Sequence, residues 1–371
     1  MRPIRIRFRD LSVPPEERKA ILEIVDQVLA EGELILGTEV SKFEAELAQF
    51  CKRRYSVALA SGTSALYLAL RALRIGPGDE VITSPLTWVA TTNAILQTGA
   101  QPVFVDIADD FLMNPTLVER SISPRTKALL PVDFYGRVCN HRELLKIADS
   151  RNLKLVVDGA QSFGASRDDT ISGELGHIVA FSLNPMKVLA GIGEAGAVVF
   201  DDPELLEEIV SLRYLGTVNK EVCVKAELNH KIDPLHAAVL RYRLKNLKDL
   251  LDRRREIADL YRSLLMDLYP LVSVPSILRN EEPTNFDFVI SCERRDELET
   301  HLLSLGIEVK VRHRHTVPDQ PAYRTFRTAN IPNARAAVTK ILCLPIHEKL
   351  QDSDIRHVAT CIHDFYTARN A

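Results

Sequence analysis

The sequence of 371 residues lacks an excess of basic charge, a long apolar run and closely spaced cysteines. Its 47 lysine and arginine residues are matched by 50 aspartate and glutamate residues, so it does not have the composition of a protein that coats nucleic acid. No apolar run reaches the roughly 18 residues of a membrane-spanning helix. No apolar segment follows the basic N-terminal residues, so we expect no secretory signal.

The six cysteines never occur with CxxC spacing, which argues against a zinc site. In a chain of this length they are typical of reduced thiols in a cytoplasmic protein rather than of a disulfide framework. We therefore expect no bound metal and no disulfide-stabilised fold. The cysteines are Cys51, Cys139, Cys223, Cys292, Cys343 and Cys361.

Seven short apolar runs, rich in valine and isoleucine, alternate with helix-length segments before Asp201. Runs of this length are typical of strands buried on both faces, and the alternation predicts an α/β fold with a mostly parallel seven-stranded sheet flanked by helices. Such sheets bind ligands at the carboxyl ends of their strands, so the residues after each run are candidate site residues. The predicted strands are Val57–Ala60, Glu80–Ser84, Gln101–Ile107, Lys127–Phe134, Lys154–Asp158, His177–Leu183 and Ala195–Phe200.

The sequence also predicts the main helices and a division into two domains. Apolar spacing predicts a helix over Pro15–Ala30, and the capping box Ser41–Glu44 predicts the start of a second one. Basic residues interleaved with leucine over about 234–267 predict one long helix that joins the domains. We expect a large domain over residues 1–240 and a smaller C-terminal α+β domain over residues 241–371.

Three segments that follow predicted strands carry residues suited to chemistry. Ser61–Ser64 is a small-residue turn from strand to helix, which suits either a phosphate group or an ordinary helix N-cap. Asp158 ends a strand, with Gln161 three residues later, and its carboxylate suits a cationic ring nitrogen or a helix cap. Lys187 follows another strand and is either a desolvated amine that attacks aldehydes or a surface lysine. A phosphate cradle, an acid and an amine together fit pyridoxal 5'-phosphate.

Taken in order, the motifs of the chain resemble those of the DegT/DnrJ/EryC1/StrS family of sugar aminotransferases, which are fold-type-I pyridoxal-phosphate enzymes. The resemblance covers nearly the whole chain and implies the aspartate-aminotransferase-like fold. The motifs that carry it are Gly32–Gly37, Ala60–Leu66, Gly76–Ile82, Thr87–Ile95, Pro102–Asp106, Asp158–Gln161, Phe181–Ser182 with Lys187, and Leu344–His347.

The resemblance implies a role for each of several residues. Lys187 and Asp158 are the implied catalytic residues: Lys187 binds the cofactor aldehyde and Asp158 pairs with the pyridine nitrogen. Gln161 lies near the phenolic oxygen of the cofactor, and Trp88 stacks on its ring. Asn229 reaches the cofactor phosphate of a neighbouring subunit, which implies a homodimer with shared active sites. The implied phosphate ligands are Thr63, Ser64 and Ser182.

By the same resemblance, the enzyme moves an amino group from glutamate or glutamine to a keto sugar, expected to be nucleotide-linked, or to a cyclitol. The product would serve amino-sugar, polysaccharide or antibiotic biosynthesis. The chain departs from the family pattern at Asp133–Phe134, at Lys231 and over Arg312–Thr316, all on the expected substrate side. The block Arg312–His315 suits either a nucleotide diphosphate or a solvated loop.

Three other functions agree with parts of the sequence. Gly191–Gly196 matches the GxGxxG pattern of NAD-dependent oxidoreductases, but it leads into a predicted strand instead of opening a helix. A pyridoxal-phosphate-dependent sugar dehydratase of the same fold would carry histidine in place of Lys187. A non-catalytic or regulatory relative would not need the complete set of cofactor residues.

Overall fold

The computed structural model describes residues 4–367, so the first three residues of the basic N-terminal segment lie outside it. The helices account for the periodic apolar segments of the sequence. They are α1 (Pro15–Glu31), α2 (Thr38–Phe50), α3 (Gly62–Ala72), α4 (Val89–Gln97), α5 (Pro115–Ser121), α6 (His141–Ser150), α7 (Pro203–Arg213), α8 (Pro234–Lys245), α9 (Leu247–Leu265), α10 (Arg295–Ser304), α11 (Pro332–Lys340) and α12 (Asp352–Thr367).

The strands of the described residues fall into one large sheet and three small ones. They are β1 (Tyr55–Leu59), β2 (Glu80–Thr83), β3 (Gln101–Phe104), β4 (Thr126–Leu130), β5 (Lys154–Asp158), β6 (Ser166–Arg167), β7 (Thr170–Ile171), β8 (Ile178–Ser182), β9 (Gly196–Phe200), β10 (Thr217–Val218), β11 (Val222–Cys223), β12 (Val272–Ser273), β13 (Glu281–Glu282), β14 (Phe288–Cys292) and β15 (Ile341–Leu344).

The large sheet has the strand order β1-β9-β8-β5-β4-β2-β3. The strand β9 pairs antiparallel with both of its neighbours, and the remaining pairings are parallel. All seven predicted strands are therefore confirmed as members of one mostly parallel sheet. Because β5 and β8 are adjacent and parallel, with Asp158 opposite Ala180, the segments that follow them leave the sheet at the same edge.

Both faces of the large sheet are covered by apolar side chains. Successive residues of a strand point to opposite faces, so Val156 packs in one cluster while Leu155 and Val157 pack in the other. One face is covered by α3 together with residues of α4 and α7, and the other by α2, α6 and α8. Burial on both faces explains why these strands are continuous apolar runs.

A second core lies around β12, β14 and β15, which form a small antiparallel sheet packed with α9, α10 and α12. The N-terminal segment contributes to this core, since Ile6 is buried in it and forms a parallel bridge with Ile307. The proposed division at residue 240 remains a prediction. The small core also contains one apolar side chain, that of Ile6, from the N-terminal segment.

Two predicted helix boundaries are wrong. The single helix expected over about 234–267 is divided at Asn246, which has φ −102° and ψ 8° and donates its side-chain amide to the carbonyl of Tyr242 (3.1 Å). The helix α2 begins at Thr38 rather than at a capping box, because the Glu33 carboxylate accepts a hydrogen bond from the Thr38 N–H (2.7 Å). The acid of that box, Glu44, instead accepts from the Ala58 N–H on β1 (2.8 Å).

Within residues 4–367, no helix combines the length and apolarity needed to cross a membrane. The same residues contain no cluster of three or more histidine, cysteine, aspartate or glutamate side chains arranged to hold a metal ion.

Candidate active site

Six of the eight predicted site residues line one cavity of about 650 Å³ at the carboxyl edge of the large sheet. This volume lies within the range of roughly 300–1,000 Å³ that is usual for small-molecule sites. The cavity is bounded by the ends of several sheet strands on one side and by residues near β14 on the other. The six residues are Thr63, Trp88, Asp158, Gln161, Ser182 and Lys187.

The turn between β1 and α3 is built to hold an anion. Ser61 caps α3 by accepting a hydrogen bond from the Ser64 N–H (3.1 Å), while the N–H groups of Gly62 and Thr63 lie in the first turn, where a helix offers them no acceptor. A side chain at position 62 would place its Cβ 2.4 Å from Ser182 Cβ. Glycine therefore lets the positive end of α3 approach Ser182 closely, and the resulting cradle suits a phosphate group.

Ser64 lies beside this cradle but outside the cavity lining. Its hydroxyl hydrogen-bonds with Ser61 Oγ and with His230 Nδ1, both at 3.0 Å. Thr63 and Ser182 line the cavity, whereas the Ser64 hydroxyl is engaged within the turn. The predicted phosphate role of Ser64 stays a prediction.

Asp158 ends β5 and is buried at the base of the cavity. Its carboxylate accepts hydrogen bonds from Thr91 Oγ1 (2.7 Å) and from the Ala160 N–H (3.1 Å). Burial nevertheless raises the pKa of Asp158, because the two donors and the positive charge of Lys187 only partly offset the loss of hydration. A buried carboxylate of this kind favours a cationic group placed opposite it.

Gln161 has one end of its side chain fixed by the backbone. Its Oε1 accepts a hydrogen bond from the Tyr135 N–H (2.8 Å), and its own carbonyl accepts from Thr284 Oγ1 (3.0 Å). Tyr135 has φ 57°, a left-handed conformation that this contact helps to hold. With Oε1 engaged, the amide nitrogen of Gln161 is the end that is able to donate to a ligand oxygen.

Lys187 lies on the short loop that follows β8. The loop is closed at its base by the hydrogen bond from Gly191 N to Leu183 O (2.7 Å) and is turned by the one from Lys187 N to Asn184 O (2.9 Å). The Nζ atom lies 4.7 Å from the ring centroid of Phe286. Burial lowers the pKa of Lys187 to about 8, although the charge of Asp158 opposes this shift. Roughly a tenth of this amine is thus uncharged and nucleophilic at pH 7, far more than of an ordinary lysine.

Trp88 borders the cavity and is 62% exposed, which is unusual for an indole. It precedes α4 directly, on the segment that leaves β2. An exposed aromatic face at the mouth of a cavity is suited to stacking on a planar ligand.

Two residues beside Asp158 and Lys187 were not assigned a role from the sequence. Thr91 and Phe286 contact Asp158 and Lys187 respectively, but each is distant from its partner in sequence. Arg312 and His313 also line the cavity, so the structure divides the charged block Arg312–His315. His313 is buried, whereas the two residues after it are exposed.

The departure from the family pattern at Asp133 does not face the cavity. The Asp133 carboxylate is fully buried below it and accepts hydrogen bonds from Cys139 N (2.9 Å) and Ser162 Oγ (2.8 Å). It also lies 2.8 Å from His141 Nε2. These contacts give Asp133 a structural role beneath the site.

Asn229 and Lys231 lie away from the cavity of their own chain. Asn229 is exposed and forms an isolated bridge with Tyr214, whose ring centroid lies 4.0 Å from Lys231 Nζ. The single chain thus presents Asn229 at its surface.

The GxGxxG segment Gly191–Gly196 leads into β9, as the sequence predicts, and opens no helix. A side chain at position 196 would place its Cβ 2.3 Å from the carbonyl carbon of Ser61. Close packing of β9 against the α3 turn explains this glycine, and the dinucleotide-binding interpretation is excluded.

Known proteins with similar sequences belong to the same family as the one that the motifs resemble. The DegT/DnrJ/EryC1/StrS aminotransferase family matches residues 15–363. The chain is 37% identical to a dTDP-3-amino-3,4,6-trideoxy-alpha-D-glucose transaminase of Streptomyces venezuelae, over 97% of this chain and 96% of that protein. These matches confirm the resemblance inferred from the motifs.

Solved structures agree with the fold as well. The crystal structure of DesV from S. venezuelae superposes with a TM-score of 0.94 at 37% identity and covers 98% of both chains. The structure of NtdA from Bacillus subtilis, which holds the cofactor PMP, superposes with a TM-score of 0.89 at 27% identity and covers 98% of this chain and 86% of that one.

Proposed function

Because the chain belongs to the DegT/DnrJ/EryC1/StrS aminotransferase family and is an aminotransferase, we propose that it uses pyridoxal 5'-phosphate to move an amino group from glutamate or glutamine to a nucleotide-linked keto sugar. The observation that carries the proposal is the convergence of Lys187, Asp158 and the α3 turn on one cavity. No other described part of the chain places an amine, a buried acid and an anion cradle around one space.

The residues present fit this cofactor. The first turn of α3, with Thr63 and Ser182, would hold its phosphate, and Trp88 would cover its ring. Asp158 would face the ring nitrogen, and the amide nitrogen of Gln161 would face the phenolic oxygen. When bound, the cofactor supplies an aldehyde that captures amines and a cationic ring that accepts the electrons released when a bond to the substrate carbon breaks.

Lys187 contributes an amine that holds or releases a proton near neutral pH. Its uncharged form would be the group that holds the aldehyde of the cofactor. When free, the same Nζ atom would be able to accept and return a proton at the reacting carbon as a general base and acid. The flanking ring of Phe286 keeps water from the amine without supplying a hydrogen bond that would fix its proton.

Asp158 would keep the ring nitrogen of the cofactor protonated. Because burial destabilises the charged carboxylate, a cation next to it would be stabilising, and this pairing would raise the pKa of the ring nitrogen. Each unit of such a shift corresponds to about 1.4 kcal/mol. The bonds from Thr91 and Ala160 fix the direction of the carboxylate.

We also propose that two copies of the chain complete each other's sites. Several large apolar side chains are exposed, among them Trp88 at the cavity and Leu228 next to Asn229, which suits burial against a second copy. In that arrangement Asn229 would reach the cofactor phosphate in the partner, as the family resemblance implies. The exposed side chains are Ile35, Trp88, Ile192, Val222 and Leu228.

The proposed class of acceptor substrate is inferred from the names of similar proteins. The similar transaminase of S. venezuelae is named for a dTDP-linked amino sugar, and this chain spans almost all of that protein. The retained Lys187 separates the proposal from a sugar dehydratase of the same fold. The intact set of cofactor residues likewise favours a catalyst over a regulatory relative.

A spectroscopic experiment tests the reaction. Purified protein with pyridoxal phosphate should show a visible absorption band that is lost on adding glutamate or glutamine. A panel of nucleotide-linked keto sugars and cyclitols, added to the aminated enzyme, should restore the band for the true acceptor. Absence of any band, or a band that no amino acid changes, would refute the proposal.

Subunit mixing tests the shared site. A Lys187→Ala chain mixed with an Asn229→Ala chain should regain activity, because one hybrid site then has both residues intact. A mixture of Lys187→Ala and Asp158→Asn chains is the control and should stay inactive, since those residues serve the same site from one chain. Failure of the first mixture, with subunit exchange verified, would argue for self-contained sites.

A further inference from the structure

The segment that carries Asn229 is bonded to the end of β1. Leu59 and Lys231 form an isolated antiparallel bridge, and the carbonyl of His230 accepts a hydrogen bond from the Ala60 N–H (2.8 Å). Ala60 immediately precedes the turn that forms the anion cradle at the start of α3. The backbone of this exposed segment therefore begins its contact with the core right beside the cradle.

The His230 side chain reaches the cradle itself. Its Nδ1 atom lies 3.0 Å from Ser64 Oγ, which in turn lies 3.0 Å from Oγ of Ser61, the residue that caps α3. His230 is 7% exposed, so water scarcely competes for this contact. Breaking a buried hydrogen bond leaves both of its partners unsatisfied, and the contact thus fixes the orientation of the imidazole.

Glu227 faces the other side of the imidazole. Its carboxylate, with the side chain 3% exposed, lies 3.6 Å from His230 Nε2. The same carboxylate accepts hydrogen bonds from the Tyr67 hydroxyl (3.1 and 3.3 Å) and lies 3.6 Å from Arg71 Nε. Because Tyr67 and Arg71 belong to α3, as Ser64 does, one helix fixes both sides of the histidine ring.

The neighbours of His230 also determine its tautomer. A carboxylate accepts but does not donate, so Glu227 favours a hydrogen on Nε2 of the ring. Burial lowers the pKa of His230, although Glu227 opposes this shift, and the ring is therefore neutral near pH 7. The neutral ring then accepts the hydroxyl proton of Ser64 at Nδ1.

Asn229, the residue before this histidine, presents one end of its amide to the surface. It is exposed, and its Oδ1 accepts a hydrogen bond from the Lys231 N–H (3.2 Å). The amide nitrogen is thus the end that is able to donate, which is the chemistry that a phosphate oxygen requires. Since His230 is its direct neighbour in the chain, the place of Asn229 depends on how firmly His230 is held.

We propose that His230 is a positioning residue, which fixes the segment carrying Asn229 to the cofactor cradle of its own chain and thereby places Asn229 at the cofactor phosphate of the other subunit. The inference rests on the shared-site dimer proposed above. In this arrangement α3 serves two sites. Its first turn would bind the phosphate of its own site, while Ser64 holds the segment that completes the other site.

Hybrid dimers of full-length chains test this role. One chain, the reporter, is wild type, whereas the other carries Lys187→Ala together with the variant under test, and two different affinity tags allow the hybrid to be isolated. Only the reporter chain then has the lysine that gives the visible band, while its site takes Asn229 from the other chain. Titration with pyridoxal phosphate, followed at this band, measures how a change in one chain affects the site of its partner.

His230→Leu in the variant chain should weaken cofactor binding at the reporter site by about 3- to 10-fold, because the anchor is lost while Asn229 is kept. His230→Asn should recover most of the affinity, since an asparagine amide is able to take the place of Nδ1 and keep the bond to Ser64. Glu221→Gln is the matched control. It removes an exposed charge from the stretch between β10 and β11 and should match Lys187→Ala alone.

Asn229→Ala in the variant chain separates this inference from the proposal on which it rests. It should weaken cofactor binding at the reporter site by about 10- to 100-fold, and an unchanged affinity would refute the shared site itself. A loss with Asn229→Ala but none with His230→Leu would overturn the role of His230 alone. Equal losses with His230→Leu and His230→Asn would also overturn it, because the bond to Ser64 would then not be the anchor.

Hydrogen–deuterium exchange gives a readout that does not depend on the cofactor. In the cofactor-free dimer, amides over residues 227–231 should exchange faster in His230→Leu than in wild type and recover in His230→Asn. Amides of α7 should exchange equally in all three proteins. Faster exchange throughout His230→Leu would show general destabilisation and contradict a positioning role.

Discussion

The hydroxyl of Thr91 donates a 2.7 Å hydrogen bond to Oδ2 of Asp158, although the two residues are 67 positions apart. Thr91 lies on α4 and Asp158 at the end of β5, so the contact ties a helix on one side of the sheet edge to the acid at its centre. The carboxylate direction is thus set before any ligand binds.

Thr91→Val should move the acid side of the pH–rate profile to higher pH. In wild type, the Thr91 hydroxyl stabilises the charged carboxylate of Asp158. Its removal therefore raises the pKa of Asp158 further, in addition to the increase that burial causes. We expect about a three- to tenfold slower donor half-reaction near pH 6, measured by stopped-flow absorbance. Thr92→Val is the control, since the buried Thr92 hydroxyl has no hydrogen-bond partner within residues 4–367. An unshifted profile in Thr91→Val would show that the bond does not tune the acid.

Lys187 should bind pyridoxal phosphate at a rate that rises through about pH 8. Only the uncharged amine attacks, and burial lowers the pKa of Lys187 from its ordinary value near 10.5 to about 8. Stopped-flow mixing of cofactor-free protein with pyridoxal phosphate measures the profile. Arg312→Gln should move its midpoint to higher pH, because Arg312 disfavours the charged amine. A wild-type midpoint near 10 would contradict the burial argument.

Borohydride reduction should attach the cofactor to wild-type protein and not to Lys187→Ala. The control is Lys310→Ala, which removes another lysine that lines the cavity but is half exposed and paired with Glu308. Peptide mapping by mass spectrometry identifies the modified residue. Labelling of any lysine other than Lys187 in wild type would refute the assignment.

Gly62→Ala should weaken cofactor binding by about 10- to 100-fold. The added Cβ would lie 2.4 Å from Ser182 Cβ and 2.9 Å from Ser182 Cα, so the backbone of the cradle has to move. Overpacking of this kind costs about 1–3 kcal/mol in stability as well, measurable as a lower midpoint of thermal unfolding. Gly76→Ala is the control, because its Cβ would meet nothing closer than 3.7 Å. Full cofactor affinity in Gly62→Ala would show that the close approach is dispensable.

Trp88 emission should report on cofactor binding. It is the single tryptophan of the chain, and its exposed ring borders the cavity. Pyridoxal phosphate added to cofactor-free protein should quench the emission stoichiometrically through energy transfer. Trp88→Phe should keep most of the activity and Trp88→Ala should loosen the cofactor, since aromatic pairing contributes about 0.5–1.5 kcal/mol. Equal emission with and without cofactor would place Trp88 away from the ring.

The large sheet was predictable because its strands are buried on both faces, which leaves short apolar runs with polar ends. Asp158 and Lys187 were found for the same reason, since each follows such a run and β5 and β8 are parallel neighbours. The local sequence pattern is enough to predict site residues when the parallel pairing of strands brings their ends together.

Features that depend on a distant partner could not be predicted. The start of α2 is decided by Glu33, and Glu44 is drawn to Ala58 on β1 instead of closing a capping box. The break at Asn246 has no proline or glycine to mark it. Arg312 is oriented toward the cavity by its ion pair with Asp287. The sequence does not indicate this ion pair, because arginine and histidine simply alternate over Arg312–His315.

The bridge between Ile6 and Ile307 has a consequence for synthesis on the ribosome. At about 5–20 residues per second, Ile6 emerges roughly 15–60 s before its partner and stays unpaired throughout that interval. The large sheet, complete at Phe200, has time to form in the meantime. The small core therefore closes last, around a segment that was made long before its partners.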